Sequence, residues 1–157
     1  MQIVIMYVGK SLGREYASIA SAYEKRLQPF ATLTWQEIKP SKPSKNSNGL
    51  SAKAEESTAV LAKLQPNDQM ILLDERGTQQ SNEAFANTFA GLAQQQGRLV
   101  IVIGGAFGVD DSVRERANFV WSLSQLVFPH QLVRVLLLEQ LYRTFAVQFG
   151  HPYHHAE

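Results

Sequence analysis

The chain contains no cysteine, and that absence removes disulfide frameworks, thiolate zinc sites and catalytic thiols together. Nothing in it requires an oxidising compartment. A long uninterrupted apolar run is also missing. The nearest approach, residues 132–149, is broken by Arg134, Glu139, Gln140, Arg143 and Gln148, which is poor for a membrane span. The opening MQIVIMYVGK lacks a basic region before it and a small-residue cleavage site after it, so it reads as a strand rather than a signal peptide. Net charge is almost absent as well, with 15 Lys and Arg against 14 Asp and Glu. A cytoplasmic protein is expected, with neither membrane nor DNA as partner.

The charges that are present are unevenly placed. Between Glu37 and Glu55 the chain carries Lys39, Lys42, Lys45 and Lys53 and no acid. The same stretch, KPSKPSKNSNGLSAK, is of low complexity, with Pro40 and Pro43 denying it regular structure and Asn48-Gly49 marking a turn. It reads as a solvated loop, or as a phosphate-contacting one if the partner is nucleic acid. From Ala117 onward the only formal charges are Arg134, Glu139, Arg143 and Glu157. That terminal quarter is built to be covered rather than solvated.

At 157 residues and 45% apolar, the chain fits one compact domain with a real core. Apolar runs at residues 3–8, 33–38, 69–73, 99–103 and 119–121 have strand character, and the intervals between them carry helical periodicity. Tyr16, Ile19, Ala20, Tyr23 and Leu27 fall at helical spacing before Pro29; Ala54, Thr58, Leu61 and Leu64 do so before Pro66. Ser81 is placed to cap a helix that sets Phe85, Phe89 and Leu92 on one face and ends at Gly97. The run LVIVI is apolar on both faces, as in the middle of a parallel sheet with helices on each side. The expected architecture is a three-layer α/β/α domain. Residues 132–149 predict a helix apolar nearly all round. One face goes to its own sheet and the other needs cover, which predicts a two-fold homodimer with this helix at the interface.

Ligands of such sheets bind beyond the carboxyl ends of the strands. Three ends stand out: Leu73 and Asp74; Gly104, Gly105, Ala106, Phe107 and Gly108; and residues 122–128. Glycines there let backbone approach a ligand closely, and a helix starting near Val109 would present free amides. A tight turn without a ligand is the plainer reading of those glycines. The spacing is not a dinucleotide fingerprint, because Ile103 stands where its first glycine belongs. Gly9-Lys10-Ser11 imitates the end of a phosphate loop, but Val4 replaces the required leading glycine. His151, His154 and His155 have no cysteine or acidic cluster to complete a coordination set, so no metal is expected. With Pro152 and Tyr153 they form a stiffened tail suited to touching a substrate.

Taken together, LLDERG at 72–77, IGGAFG at 103–108, WSLS at 121–124, FPHQLVRVLLLEQLYR at 128–143 and HPYHH at 151–155 resemble the ribosomal RNA large subunit methyltransferase H family, of the SPOUT class. The resemblance covers essentially the whole chain and is most specific from Ile103 onward. It implies one SPOUT domain over residues 1–157: a mostly parallel five-stranded sheet whose C-terminal loops form a deep trefoil knot, a rare exception to the rule that chains do not thread. It implies S-adenosylmethionine (S-adenosyl-L-methionine) as cofactor, held by Leu73, Gly104 and the loop Leu123, Ser124, Gln125, Leu126, Val127 and Phe128. It also implies a homodimer that methylates N3 of a pseudouridine in 23S rRNA, within the assembled 70S ribosome. The family tail typically reads His-Pro-Tyr-His-Arg-Glu. Here His155 and Ala156 precede Glu157, leaving a histidine partly in the place of the terminal arginine.

The implied transfer sets its own chemical demands. A sulfonium methyl is already activated, so the protein must align it with a nitrogen lone pair and exclude water. N3 of a pseudouridine becomes a good nucleophile only as its proton leaves, which a base or a stabilising cation assists. The expected catalytic residues are His154 as base, Tyr153 as stacking or orienting group and Arg143 as cation. Arg143 has an equal reading as the structural ion-pair partner of Glu139. His130, after Pro129, reads as a residue that orders its loop. Two other functions fit the same residues: a non-catalytic RNA- or ribosome-binding domain, and a SPOUT enzyme acting on tRNA. Weak overall electrostatics and no added RNA-binding domain favour a large, preorganised substrate recognised by shape.

Overall fold

A computed structural model describes residues 1–42 and 48–153. The elements follow the expected alternation: β1 (Gln2–Val8), α1 (Arg14–Leu27), β2 (Thr32–Ile38), α2 (Leu50–Lys63), β3 (Gln69–Thr78), α3 (Asn82–Ala93), β4 (Leu99–Ile103), α4 (Asp111–Arg116), β5 (Phe119–Trp121) and α5 (His130–Phe149). The five strands form one parallel sheet in the order β2-β1-β4-β3-β5. LVIVI is the central strand, with every residue buried. A strand apolar on both faces has to lie there, because only there are both faces covered.

Side chains alternate across the sheet into two cores. On one face Ile3, Ile5, Ile71, Ile101 and Ile103 meet Leu27, Phe85, Phe89, Leu137, Leu138, Leu141 and Phe145, from α1, α3 and α5. On the other, Val4, Met6, Met70, Leu72, Val100 and Val102 meet Val60 and Val113, from α2 and α4. The result is the expected three-layer α/β/α architecture.

Local chemistry fixes the boundaries. Ser81 caps α3, its hydroxyl accepting a hydrogen bond from the Ala84 amide at 3.2 Å. The fourth helix begins later than expected, at Asp111, because the Asp110 carboxylate caps it by accepting from the Val113 amide at 3.3 Å. One of the amides expected to face a ligand near Val109 is taken up in this way. The third strand continues past Leu73 through an irregularity, so that both Leu73 and Thr78 face Trp121 of β5. Gly77 makes this return possible: a Cβ there would lie 2.6 Å from the Val120 carbonyl oxygen.

Its own chain covers more of α5 than the sequence pattern suggests, since α1 and α3 pack against it while its inner face meets the sheet. Leu132, Leu136, Gln140, Arg143 and Val147 remain partly exposed, at the spacing of a single outward stripe. Placing β5 beyond β3 and then returning α5 over the sheet is consistent with the knotted threading the resemblance implies. Among the described residues, no helix is long and apolar enough to cross a membrane.

Candidate active site

The carboxyl ends of β3, β4 and β5 point the same way because the sheet is parallel, and the loops that follow them enclose a cavity of about 490 Å³. Leu73, Asp74, Glu75 and Arg76 form one wall; Gly104 through Val109 form the second; Trp121, Leu123, Ser124, Leu126, Val127 and Phe128 form the third. His130 and Val133, from the first turn of α5, and Lys53, from α2, complete it. The expected cofactor residues therefore come together, with one exception: Gln125 belongs to the same loop but does not line the cavity.

Each wall is held from behind. Trp121 stacks on Phe85 with ring centroids 3.6 Å apart, joining the cavity to the core. In the third loop the Ser122 hydroxyl donates to the Ser124 carbonyl at 3.0 Å, and the Ser124 hydroxyl accepts from the Leu126 amide at 3.0 Å. That pairing fixes a turn which leaves Leu126 and Val127 exposed at the rim. In the glycine loop the Gly108 amide bonds to the Gly105 carbonyl at 3.0 Å, with Gly108 in the left-handed region at φ 73°. The second helix backs this loop twice. Ser57 accepts from the Asp110 amide at 2.9 Å, and the Glu56 carboxyl lies where a Gly105 Cβ would come within 2.3 Å of Oε2.

One acid of the cavity wall, Asp74, is paired twice. Asp74 is nearly buried and binds Arg76 at 3.1 Å and Arg114 at 2.5 Å. Burial alone would raise its carboxyl, but hydrogen bonds from Arg76 and the nearby Arg114 outweigh it and hold Asp74 below the ordinary carboxylate value. His130 is held below the ordinary imidazole value, first by burial and then by the Arg134 guanidinium. Arg134 is itself buried, donating to the Lys10 carbonyl at 2.8 Å and lying 3.8 Å over the Tyr7 ring.

The expected catalytic residues stand apart from this cavity. Arg143 and Tyr153 lie at the other end of α5, and the thirteen residues from His130 to Arg143 span about 20 Å at the helical rise. Arg143 makes the ion pair with Glu139 that its spacing allows, at 2.6 Å. The Tyr153 hydroxyl donates to the same Glu139 oxygen at 3.4 Å, and the Arg143 guanidinium is 5.2 Å from the Tyr153 ring centroid. Tyr142 packs edge-on against Tyr153, with Arg26 over the Tyr142 and Tyr23 rings. His151 and Tyr153 are thereby docked on the end of α5 within a cluster of aromatic and guanidinium groups. His154 and Lys45 lie outside the described residues.

Sequence reasoning held Arg76 only within the LLDERG motif and Lys53 only within the basic stretch, and did not single out Glu56; the fold brings the first two to the cavity and the third against Gly105. Among the described residues no cluster of metal-binding side chains forms.

A parallel α/β sheet with a ligand-sized cavity at its last three strand-end loops is the arrangement of a small-molecule-binding α/β protein. The family model described as "Predicted SPOUT methyltransferase" matches residues 1–154. A protein of Gloeobacter violaceus named "Ribosomal RNA large subunit methyltransferase H" is 37% identical over 155 residues, covering 99% of each chain. A protein of the same name from Pseudothermotoga lettingae is 40% identical over 156 residues, covering 99% of this chain and 100% of that one. The structure of a probable methylase family protein from Haemophilus influenzae shares the fold, with a TM-score of 0.51 at 18% identity over 94% of this chain and 66% of that one. The chain belongs to the ribosomal RNA large subunit methyltransferase H family of SPOUT methyltransferases. Methyltransferases of this class use S-adenosylmethionine.

The cavity fits that cofactor on its own terms. Its volume is in the range of small-molecule sites, its walls are mainly apolar, and the peptide groups of Gly104, Gly105 and Gly108 border it without side chains. Gly104 has no room for one, since a Cβ would meet Val109 at 2.9 Å.

Proposed function

We propose that this protein transfers a methyl group from S-adenosylmethionine to N3 of a pseudouridine in 23S rRNA, on the assembled 70S ribosome in the cytoplasm, and acts as a homodimer of single-domain subunits. One observation carries the reading: Leu73, Gly104 and the loop from Leu123 to Phe128 converge on one cavity, in a chain that is 37% identical end to end to a protein named for large-subunit rRNA methylation.

When bound, the cofactor supplies a methyl group already activated by its sulfonium. Leu73, Trp121, Leu126 and Val127 supply apolar cover that excludes water from the transfer. The peptide groups of Gly104 and of the loop after β5 orient the donor. On the substrate side, Arg143 offers the cation that favours the deprotonated base, Tyr153 offers a stacking face, and His154 accepts the N3 proton.

Arg143, with Tyr153 beside it, sits about 20 Å along α5 from the cavity of its own subunit. A second copy lying antiparallel on the stripe of Leu132, Leu136 and Gln140 brings the partner's tail to the cavity. The pairing explains why the apolar stripe and the displaced tail occur on one helix. The weak net charge fits a substrate whose shape is already set, and exposed Lys39 and Lys42, with Lys53 at the cavity, supply phosphate contacts.

The test is transfer of labelled methyl from S-adenosylmethionine to ribosomes lacking the modification, alongside free 23S rRNA and tRNA, with the labelled nucleotide mapped. Label on one pseudouridine in the ribosome alone is the expected result. Label on tRNA would move the substrate, and cofactor binding with no transfer to any RNA would make the domain a binding module.

A further inference from the structure

Glu56 is the one buried carboxyl among the described residues without a cationic partner: Asp68 has Arg98 at 2.7 Å, whereas Glu56 makes no salt bridge. Its Oε1 accepts from the Ser41 amide at 2.9 Å, and its Oε2 is buried with no hydrogen-bond partner. A buried carboxylate in that state is costly and gains from a positive charge brought near it. Gly105 lines the cavity and lies against Glu56, and a Cβ on it would come within 2.3 Å of Oε2. The other acids at the cavity are accounted for differently. Asp74 is neutralised by Arg76 and Arg114, and Glu75 is exposed to solvent.

We infer that Glu56 is a specificity-determining residue that favours the cationic methyl donor over its uncharged product. The inference rests on the reading that the cavity holds S-adenosylmethionine. That molecule carries a sulfonium charge which S-adenosylhomocysteine, left after transfer, lacks. A carboxylate behind Gly105 acts on the first and is indifferent to the second, so its field helps to load donor and release product. At an effective dielectric constant of about 20, an unpaired charge about 12 Å away alters the affinity of a cation by about tenfold, and a nearer one by more. Ser41 links the same carboxyl to the segment that carries Lys39 and Lys42, which holds Glu56 in place from the opposite side.

Calorimetric titration of wild type, Glu56→Gln and Glu56→Met with S-adenosylmethionine and with S-adenosylhomocysteine tests this without reference to turnover. Both variants should bind the donor about tenfold more weakly and the product unchanged. Glu56→Met matches the length of the side chain and removes the buried charge, so one neutral variant remains measurable if the other does not fold. Equal losses for the two ligands would mean that Glu56 only shapes the glycine loop, and unchanged affinities would mean that its charge does not reach the cavity; either result overturns the inference. A wild-type protein that binds neither ligand would instead overturn the cofactor reading itself, and the inference with it.

Discussion

Arg143 has a structural role in its ion pair with Glu139, and the proposed function gives it a chemical one as well. Its ion pair with Glu139 is an i,i+4 contact with both side chains partly exposed, so it contributes about 0.5 kcal/mol to stability. Arg143→Ala should therefore melt close to wild type and bind S-adenosylmethionine unchanged, while RNA methylation falls by about a hundredfold. A large drop in melting temperature with methylation intact would return Arg143 to a purely structural role. His130 gives a pH-dependent counterpart. Its folded-state pKa lies below the ordinary value of 6.5, so the unfolded chain takes up the proton first as pH falls. The stability that depends on neutral His130 is complete above 6.5 and declines below it. Chemical denaturation of wild type and His130→Gln between pH 5 and 8 should show a shallower acid-side slope in the variant, and parallel curves would contradict the burial argument.

Among elements, the glycine loop between β4 and α4 is the most constrained. Gly105 is fixed from one side by Glu56 and from the other by the cavity, and the backbone cannot retreat because Gly108 bonds to its carbonyl. Gly105→Ala should both destabilise the fold and weaken cofactor binding, and a variant that melts and binds like wild type would show the loop to be looser than this geometry. The long helix is constrained differently. Its inner face, with Leu137, Leu138 and Leu141 fully buried, anchors the domain. Its outer stripe of Leu132, Leu136, Gln140, Arg143 and Val147 is partly exposed and contributes less to that core.

For the whole molecule, the proposed function sets the cofactor cavity of one chain beside the Arg143–Tyr153 cluster of a second, because a single chain holds Arg143 about 20 Å along α5 from the cavity. Mixing Arg143→Ala protein with a cavity variant such as Gly104→Val should restore methylation that neither has alone, because one heterodimeric site then combines an intact cavity with an intact tail. Absence of rescue, with heterodimers demonstrated, would place both halves in the same subunit. Charged substitutions at Leu132 and Leu136 should give monomers that melt independently of protein concentration.

Much of this was legible before folding, and the reason is physical. Strand and helix periods, the cap at Ser81 and the all-apolar LVIVI are local signals, each set by a few neighbouring residues, and each maps onto an observed element. The strand-end loops were legible because parallel α/β sheets bind ligands at one end, and the family motifs named the same residues. What the sequence could not express was distance. Glu139 and Arg143 are adjacent on one helix turn, so their pairing could be foreseen, but the gap between Arg143 and Gly104 depends on where α5 lies. The approach of Glu56 to Gly105 joins residues 49 positions apart, with no spacing rule to connect them. Sequence by itself determined the elements, the central strand and the class of site, because these follow from local periodicity and burial. Tertiary structure alone decided which charges are paired, which buried carboxyl oxygen is left without a partner behind Gly105 and how far Arg143 lies from the cavity, because these depend on packing between distant segments.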